Sequence, residues 1–547
     1  MRITTADAFD DSQLTAVDRA NTSRWRLTWP ELKLLFIAST GFFIDAYDIF
    51  NINLVVVVLN ILINGKLSGT ILNASLQGGV LKAAVNIGCV IGQIGFGLAG
   101  DILGRHTIYG FEMIVTTVAT ILVISGPISL GKNLFTYITV FRVLMGIGIG
   151  GDYPMSASVV ADRANLRRRG TMVTFIFAMQ GWGSFIGAIV FIILMAIYKK
   201  GIEHHHHISQ LNSLWRIYTG VIIIPGIITI VQRLLMTESA RMRGVQAIRG
   251  DPSLLTRGGA KVMGVREAEL SQKHEENEKH IEKHGEGDSE RDSAEVEAPT
   301  TGGAVASTAA ARAAAWRDAR EYFSEWRHLK ILIGTTMSWF LLDIIFYGIS
   351  LNQSIFITAL GLASSKDPWE FLWQQGVANV IIAIGGFLPG YYFTLFTIEY
   401  LGRKKIQIMG LTMNAIIFAI LAGKYTALKA NSSGLIACFI FLQFFFNFGA
   451  NATTFVVPAE VFPTRVRGFG HGVSAASGKC GAIIASLAVS IMATNVGPQN
   501  VLWLFFGIAV IAIPFTFLIP ETKDRDADLI DLEERREKAL WQAGQGF

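Results

Sequence analysis

Three aspartates stand inside stretches of sequence that are otherwise apolar. They are Asp45, Asp152 and Asp343, and Asp48 follows Asp45 at a spacing that places both on one helix face. If these stretches cross a membrane, the carboxylates are costly there, and such residues usually face a cavity and take part in function. We therefore predict functional roles for them. The structural alternative is a carboxylate hydrogen-bonded to a neighbouring helix, where it locks the fold.

A glycine-rich run leads into the second of these acids. Alternate glycines over Gly146–Gly150 remove side chains, so another helix or a ligand can approach the backbone. Pro154 interrupts the helical hydrogen-bond ladder, and Asp152 and Tyr153 lie on the weakened stretch. A nucleotide-binding loop is disfavoured, because no strand precedes the run and no Lys-Ser/Thr pair follows it. The combination predicts a site on this helix.

Further polar groups in the apolar stretches indicate what such a site would bind. Trp339, Asp343 and Tyr347 are spaced by four, so they stack on one helix face as a cradle of hydrogen-bond donors. Neutral donors with a cation suit an oxyanion better than a cation, and the acids suggest coupled protons. Lys82 could instead reach the membrane surface or pair with an aspartate. The remaining groups are two amides and three cations, namely Gln180, Asn447, Lys479, Lys82 and Arg142.

Charge is distributed very unevenly along the helices that must hold these groups. Only 16% of the 547 residues are charged, against about a quarter in soluble proteins. Just 34 of the 89 charges fall within Leu34–Thr237 and Ile331–Pro520, which together hold 394 residues. A soluble protein and a small monotopic protein are therefore excluded, and outer-membrane barrels lack such long apolar runs. The net charge of +5 says little about partners, because the tails and loops set it, and we expect no nucleic-acid partner.

Apolar runs of membrane-spanning length predict an all-α polytopic protein with twelve transmembrane helices. The predicted divisions are a tail (1–32), a six-helix bundle (33–236), a linker (237–330), a second bundle (331–520) and a tail (521–547). The twelve runs lie near 33–60, 73–99, 107–127, 134–161, 171–198, 214–236, 331–357, 373–399, 405–423, 434–460, 469–494 and 500–519.

The two halves of the chain repeat. Asp101–Arg105 after span 2 matches Glu399–Arg403 after span 8, and Arg169 matches Arg467, always at an offset of 298 residues. The same offset carries Asp45 onto Asp343. We therefore expect two pseudo-symmetric six-helix bundles, related by an axis along the membrane normal, with a site between them.

The short loops predict the orientation of the chain. Ten basic residues lie in the loops after spans 2, 4, 8 and 10, against seven lysines in the opposite loops, so both termini and the linker should be cytoplasmic. The linker is hydrophilic and is predicted to be largely disordered, with a short amphipathic helix at 312–328 that lies at the membrane surface before span 7. Whether it is a simple tether or binds regulatory partners stays open.

Other reactive groups give weaker signals. The three cysteines, Cys89, Cys438 and Cys480, fall inside apolar runs and imply no disulfide framework. Adjacent histidines at 204–207 could chelate a metal, but a solvated loop is favoured. No nucleophile–base pair or closed metal set is recognisable, so an enzyme is disfavoured and neither a metal nor a cofactor is predicted.

Taken together, these motifs resemble the major facilitator superfamily over nearly all of residues 33–520. Asp101–Arg105 resembles its loop 2–3 signature, and Arg142 with the glycines after it resembles its fourth-helix motif. The most specific string, Gly150–Ser156, is similar to the signature of the phosphate:proton symporters of fungi and plants, with Met155 where Leu is usual.

This resemblance implies a proton-coupled importer of inorganic phosphate that works by alternating access in the plasma membrane bilayer. The implied proton-linked acids are Asp45, Asp152 and Asp343, with Asp48, Lys82 and Arg142 in support. Two alternatives remain: a glycerophosphodiester or organic-anion symporter on the same fold, and a phosphate receptor with little net transport. The phosphate site implied is Tyr153, Gln180, Trp339, Asp343, Tyr347, Asn447 and Lys479.

Overall fold

Apolar helices form nearly the whole of the computed structural model. The predicted twelve spans are confirmed: within the described residues, twelve helices are long and apolar enough to cross a membrane. The structure describes residues 27–65, 76–164, 166–204, 209–250, 308–359, 363–430 and 432–542. The histidines at 205–207 and the middle of the linker, 251–307, lie outside these ranges.

The spans fall into two sets of six, on either side of the linker. Spans 1 to 6 are Glu31–Asn64, Gly78–Leu103, Arg105–Ser125, Asn133–Arg163, Leu166–Ile197 and Gln210–Leu234. Spans 7 to 12 are Trp326–Ser350, Pro368–Leu401, Arg403–Gly423, Ser433–Val461, Thr464–Ala493 and Pro498–Thr516.

The repeated loop motif has a backbone reason for its glycine. Gly104 follows span 2 with φ 91°, and Gly402 follows span 8 with φ 84°. Side chains other than hydrogen disfavour this left-handed region, so glycine lets each chain turn sharply from one span into the next. The sequence repeat is thus also a repeat of local structure.

Among the described residues, two pairs of spans make the most extensive contacts between the halves. Span 2 packs against span 11, and span 5 packs against span 8, an arrangement consistent with the pseudo-symmetry. Gly97 and Gly468 let spans 2 and 11 touch through their backbones: a Cβ at Gly468 would lie 2.5 Å from the carbonyl oxygen of Gly97. A larger side chain at Gly468 would force the two halves apart.

The glycines of span 4 serve packing rather than a ligand. A Cβ at Gly146 would collide with the carbonyl oxygen of Val85 in span 2, and one at Gly148 with Thr116 in span 3. The sequence left open whether these glycines make room for another helix or for a ligand. The structure shows close approach of other helices. The helix runs on through Pro154 as far as Arg163.

Within the described ranges, three helices of more than ten residues lie outside the spans. They are α1 (Ala240–Gly250), α2 (Thr308–Ser324) and α3 (Ala527–Gln542). The helix predicted at 312–328 corresponds to α2, which begins and ends about four residues earlier. Its Ala319 and Tyr322 are buried in one cluster with Phe462 and Val466 at the span 10–11 turn, so α2 packs on the protein itself.

Ion pairs close one end of the bundle, which we call the motif face because it carries the repeated loops. The carboxylate of Asp162 accepts hydrogen bonds from Arg105 of its own half and from Arg467 of the other half. Asp101 accepts from the backbone amides of Gly468 and Phe469 at 3.1 and 2.8 Å. These contacts cross between the halves, so the motif face is shut in this structure.

The opposite end is also bridged. The amide of Asn53 in span 1 donates to the carbonyl oxygen of Ser350 at the end of span 7, at 2.5 Å. The indole of Trp369 donates to the carbonyl oxygen of Met195 at 2.8 Å. Polar groups at the middle of the membrane are therefore enclosed from both sides.

Candidate functional site

The buried amine of Lys479 lies at the centre of the candidate site. Its Nζ donates to the hydroxyl of Tyr347 at 2.7 Å and to Oδ2 of Asp343 at 3.3 Å. It also lies 5.1 Å from the ring centroid of Tyr153, which belongs to the other half of the chain. All four side chains are at most 1% exposed. The structure thus brings together predicted residues of spans 4, 7 and 11.

Span 7 supplies one wall of this centre. Trp339, Asp343 and Tyr347 lie one turn apart on an unbroken helix, and all three are buried. The ring of Trp339 lies 6.5 Å from that of Tyr153. Gly478 permits this packing, because a Cβ there would lie 2.5 Å from Cδ1 of Trp339 and 2.9 Å from Oδ2 of Asp343. The predicted stripe of indole, carboxylate and phenol is therefore arranged as its spacing suggested.

The two predicted amides, Gln180 and Asn447, are joined by residues that the sequence did not single out. Asn451 donates to Oδ1 of Asn447 at 2.8 Å and to Oε1 of Gln180 at 3.3 Å. Tyr391 of span 8 also donates to Oε1 of Gln180. Span 10 is interrupted between Asn447 and Ala450, and this break places one asparagine on each side of it.

Asp152 belongs to a different cluster. The guanidinium of Arg233 donates to both of its carboxylate oxygens, at 2.8 and 3.0 Å, and to Glu112 at 2.8 Å. The ring of Tyr109 lies 4.3 Å from the same guanidinium. Asp152 is thus part of a bidentate, fully buried ion cluster within the first six spans.

Asp45 lies beside this cluster, with its carboxylate next to that of Asp152. Both of its carboxylate oxygens are buried, and no described side chain donates to them. Asp152 and Arg233 are within electrostatic range. Gly41, one turn earlier, makes room for them, because a Cβ there would collide with both Arg233 and Asp152. An acid in this position gains from carrying a proton, since it would otherwise be a second anion beside Asp152.

The supporting residues lie away from Lys479. Arg142 donates to the backbone oxygen of Asp48 at 3.3 Å. Lys82 donates to Oδ1 of Asn352 at 3.1 Å, so it neither reaches the membrane surface nor pairs with an aspartate. Its contact joins span 2 to the residues just after span 7 and thus contributes to the closure opposite the motif face.

The residues missed by sequence reasoning fall into two groups. Arg233 and Glu112 lie inside predicted runs, so a full inventory of ionisable residues in those runs would have found them. Asn451 stands four residues after Asn447 and 298 residues after Tyr153, so its spacing was a usable signal, whereas Tyr391 is a neutral residue without one.

This arrangement is suited to holding an anion and a proton. A buried lysine is balanced by a single carboxylate, and neutral phenol and indole groups surround the pair. Adding a proton to that carboxylate would free the lysine to compensate a different negative charge. Among the described residues, no three His, Cys, Asp or Glu side chains are grouped to hold a metal.

Comparison with known proteins identifies relatives along almost the whole chain. The family described as sugar (and other) transporter matches residues 34–533. A putative inorganic phosphate transporter of Schizosaccharomyces pombe is 39% identical over 95% of this chain and 92% of its own length. The inorganic phosphate transporter PHO84 of Saccharomyces cerevisiae is 35% identical over 92% of this chain and 84% of its own length.

Solved structures show the same fold. The proton:xylose symporter XylE, a major facilitator superfamily protein, is 19% identical and superposes with a TM-score of 0.65. The match covers 93% of this chain and 99% of that protein. With the family match and the curated relatives, this establishes that the chain belongs to the major facilitator superfamily and, within it, to the family of the inorganic phosphate transporters.

Proposed function

We propose that this protein is a proton-coupled symporter that imports inorganic phosphate across the plasma membrane by alternating access. The observation that carries the proposal is the position of Lys479, which is buried between the halves and shared by Asp343 and Tyr347. The names of the relatives supply phosphate as the substrate. The site supplies a reason why an anion and a proton would be taken up together.

The first step is protonation of Asp343. Dihydrogen phosphate and an ionised carboxylate would repel each other strongly in a water-poor cavity, so binding favours the protonated acid. Protonation removes the counter-ion of Lys479, and the bound phosphate replaces it. The phenols of Tyr153 and Tyr347 then take over hydrogen bonds that water made to the anion.

The second step exchanges access between the two sides of the membrane. We place the motif face in the cytoplasm, as the charge of the loops predicts. Opening toward the outside would break the Asn53–Ser350 contact, and opening toward the cytoplasm would break the Asp162–Arg467 pair. Loss of the proton from Asp343 toward the cytoplasm restores its pair with Lys479, and phosphate is expelled.

Uptake of radiolabelled phosphate into liposomes containing the purified protein tests this function. Acid outside should drive accumulation, and a protonophore should abolish accumulation above equilibrium. Uptake that follows sodium and ignores the proton gradient would contradict the coupling. Phosphate binding with no uptake would identify a receptor instead.

Competition and a matched pair of variants sharpen the test. Excess glycerophosphodiester should not displace phosphate, because the groups around Lys479 converge on a small anion. Lys479→Met should abolish phosphate uptake, while Lys424→Met, which removes an exposed lysine in the loop after span 9, should leave it unchanged. Equal loss in both variants would show that the lysine in the site has no special role.

A further inference from the structure

We propose that Tyr391 is a positioning residue that makes Gln180 a hydrogen-bond donor toward the substrate anion. Our inference rests on the proposed phosphate transport and deepens it. Tyr391 is completely buried in span 8, and its hydroxyl donates to Gln180 of the other half. The ring of Tyr391 lies 5.8 Å from that of Phe177, which lies 6.5 Å from the ring of Tyr153, so one aromatic ring separates Tyr391 from the Lys479 centre.

The direction of every hydrogen bond in this network follows from one backbone group. The side-chain amide of Asn447 lies 2.8 Å from the carbonyl oxygen of Gln443. A carbonyl oxygen can only accept, so the nitrogen of Asn447 must face Gln443 and its oxygen must face Asn451. Asn451 must therefore present its nitrogen, which lies 2.8 Å from that oxygen.

The orientation of Asn451 in turn orients the Tyr391 hydroxyl and the Gln180 amide. The nitrogen of Asn451 lies 2.8 Å from the Tyr391 hydroxyl and 3.3 Å from Oε1 of Gln180. The hydroxyl accepts from Asn451, so its own proton is free for Gln180, which must present an oxygen to both neighbours. A reversed Gln180 would place its amide protons against those of Asn451.

The consequence is that Gln180 offers a donor to the site. The oxygens of Gln180 and Asn447 are both occupied, and the amide nitrogen of Gln180 has no acceptor among the described residues. An anion bound beside Gln180 would therefore meet its N–H group and not its carbonyl oxygen. This polarity favours an oxyanion and disfavours a cation or a hydroxyl donor.

Equilibrium binding of inorganic phosphate to the purified full-length protein tests this role. Tyr391→Phe keeps the ring but removes the hydroxyl, so Gln180 is held only by the 3.3 Å contact with Asn451, and phosphate affinity should fall roughly tenfold. Tyr392→Phe is the matched control. It also removes a hydrogen bond between the halves, the 3.0 Å contact with Trp182, but it should leave phosphate affinity within about twofold.

A double-mutant cycle separates positioning from general loss of structure. If Tyr391 acts through Gln180, then adding Tyr391→Phe to Gln180→Met should cause no further loss of phosphate affinity. Independent, multiplying losses would overturn the proposal, and so would an unchanged affinity in Tyr391→Phe. Failure of the parent protein to bind phosphate would instead contradict the proposed function itself.

Discussion

The two six-helix bundles keep the same ion pairs at the motif face. Arg105 lies 3.5 Å from Asp101 and pairs with Asp162. At the offset of 298 residues, Arg403 repeats both contacts, at 2.8 Å to Glu399 and 2.6 Å to Glu460. The acids just after spans 6 and 12 also act alike. Glu238 accepts a hydrogen bond from the backbone amide of His106, and Glu521 accepts one from the backbone amide of Lys404.

At the middle of the membrane the halves differ. Asp343 is paired with Lys479, whereas no described side chain donates to its counterpart Asp45. The position equivalent to Lys479 in the first half is Gly181, and the position equivalent to Asp152 in the second half is Ala450. The cation of the first half is Arg233, which holds Asp152 and Glu112.

This difference separates charges that are held in fixed ion pairs from a charge that can exchange its partner. Both halves must close at the same face, so both have the same ion pairs in their loops. A substrate binds in one orientation, so the centre need not be symmetric. Arginine stays protonated and holds two carboxylates in fixed geometry, while a lysine is a point charge that can exchange one partner for another. We therefore assign stability to the Arg233 cluster and substrate binding to the Lys479 centre.

The largest predicted effect is on stability in the first half. Arg233→Met would leave two buried acids without their cation, at a cost of about 3–5 kcal/mol in the free energy of unfolding. Thermal unfolding of the detergent-purified protein measures this loss. Lys479→Met should cost less stability, because the single acid left behind can take up a proton, but phosphate binding should disappear. The reverse ranking would refute our division of roles.

The second prediction concerns the equivalent acids. Asp343→Asn mimics the protonated acid, so phosphate binding should survive while proton-driven accumulation falls at least tenfold. Asp343→Glu should impair both, because its extra methylene crowds a tight cradle. Asp45→Asn should spare binding and damage coupling only. Binding and uptake assays on the same preparations decide this, and full accumulation by Asp343→Asn would exclude it as the proton carrier.

A third, smaller effect should distinguish the two loop arginines. Arg403→Lys breaks bidentate contacts to Glu399 and Glu460 inside one half, so it should lower stability by about 1–3 kcal/mol with little change in uptake per folded molecule. Arg105→Lys also loses a contact with the carbonyl oxygen of Thr464 in the other half. It should therefore change the initial rate of uptake as well. Equal effects on uptake would mean that the loops do not differ in role.

The smallest effect concerns pH and helix α3, which follows span 12 and packs against α1. Burial raises the pKa of Asp528, but the guanidinium groups of Arg467 and Arg241 outweigh burial and hold it below its ordinary value of about 4. A lowered folded-state pKa adds stability above the unfolded value, and this is lost as pH falls through the folded one. Limited proteolysis should thus find α3 equally protected from pH 5 to 8. Asp528→Asn should expose it across that whole range.

Local features of the sequence determined much of the fold. Apolar run length predicted all twelve spans, because a membrane helix must satisfy its own backbone and cover about 30 Å. Spacing by four placed Trp339, Asp343 and Tyr347 on one face, because helix geometry alone fixes that relation. The offset of 298 residues predicted the paired loops, because a repeated motif folds in the same way twice.

Contacts between helices were decided only by the tertiary structure. Lys479 meets Asp343 across 136 residues of chain, Arg233 meets Asp152 across 81, and Tyr391 meets Gln180 across 211. Composition and periodicity do not specify which faces of two distant helices meet, since that depends on how each helix is rotated and shifted against its neighbours. The sequence therefore supplied most of the ionisable and polar groups of the candidate site, and packing of helices within each half decided that Lys479 pairs with Asp343 while Arg233 holds Asp152 and Glu112.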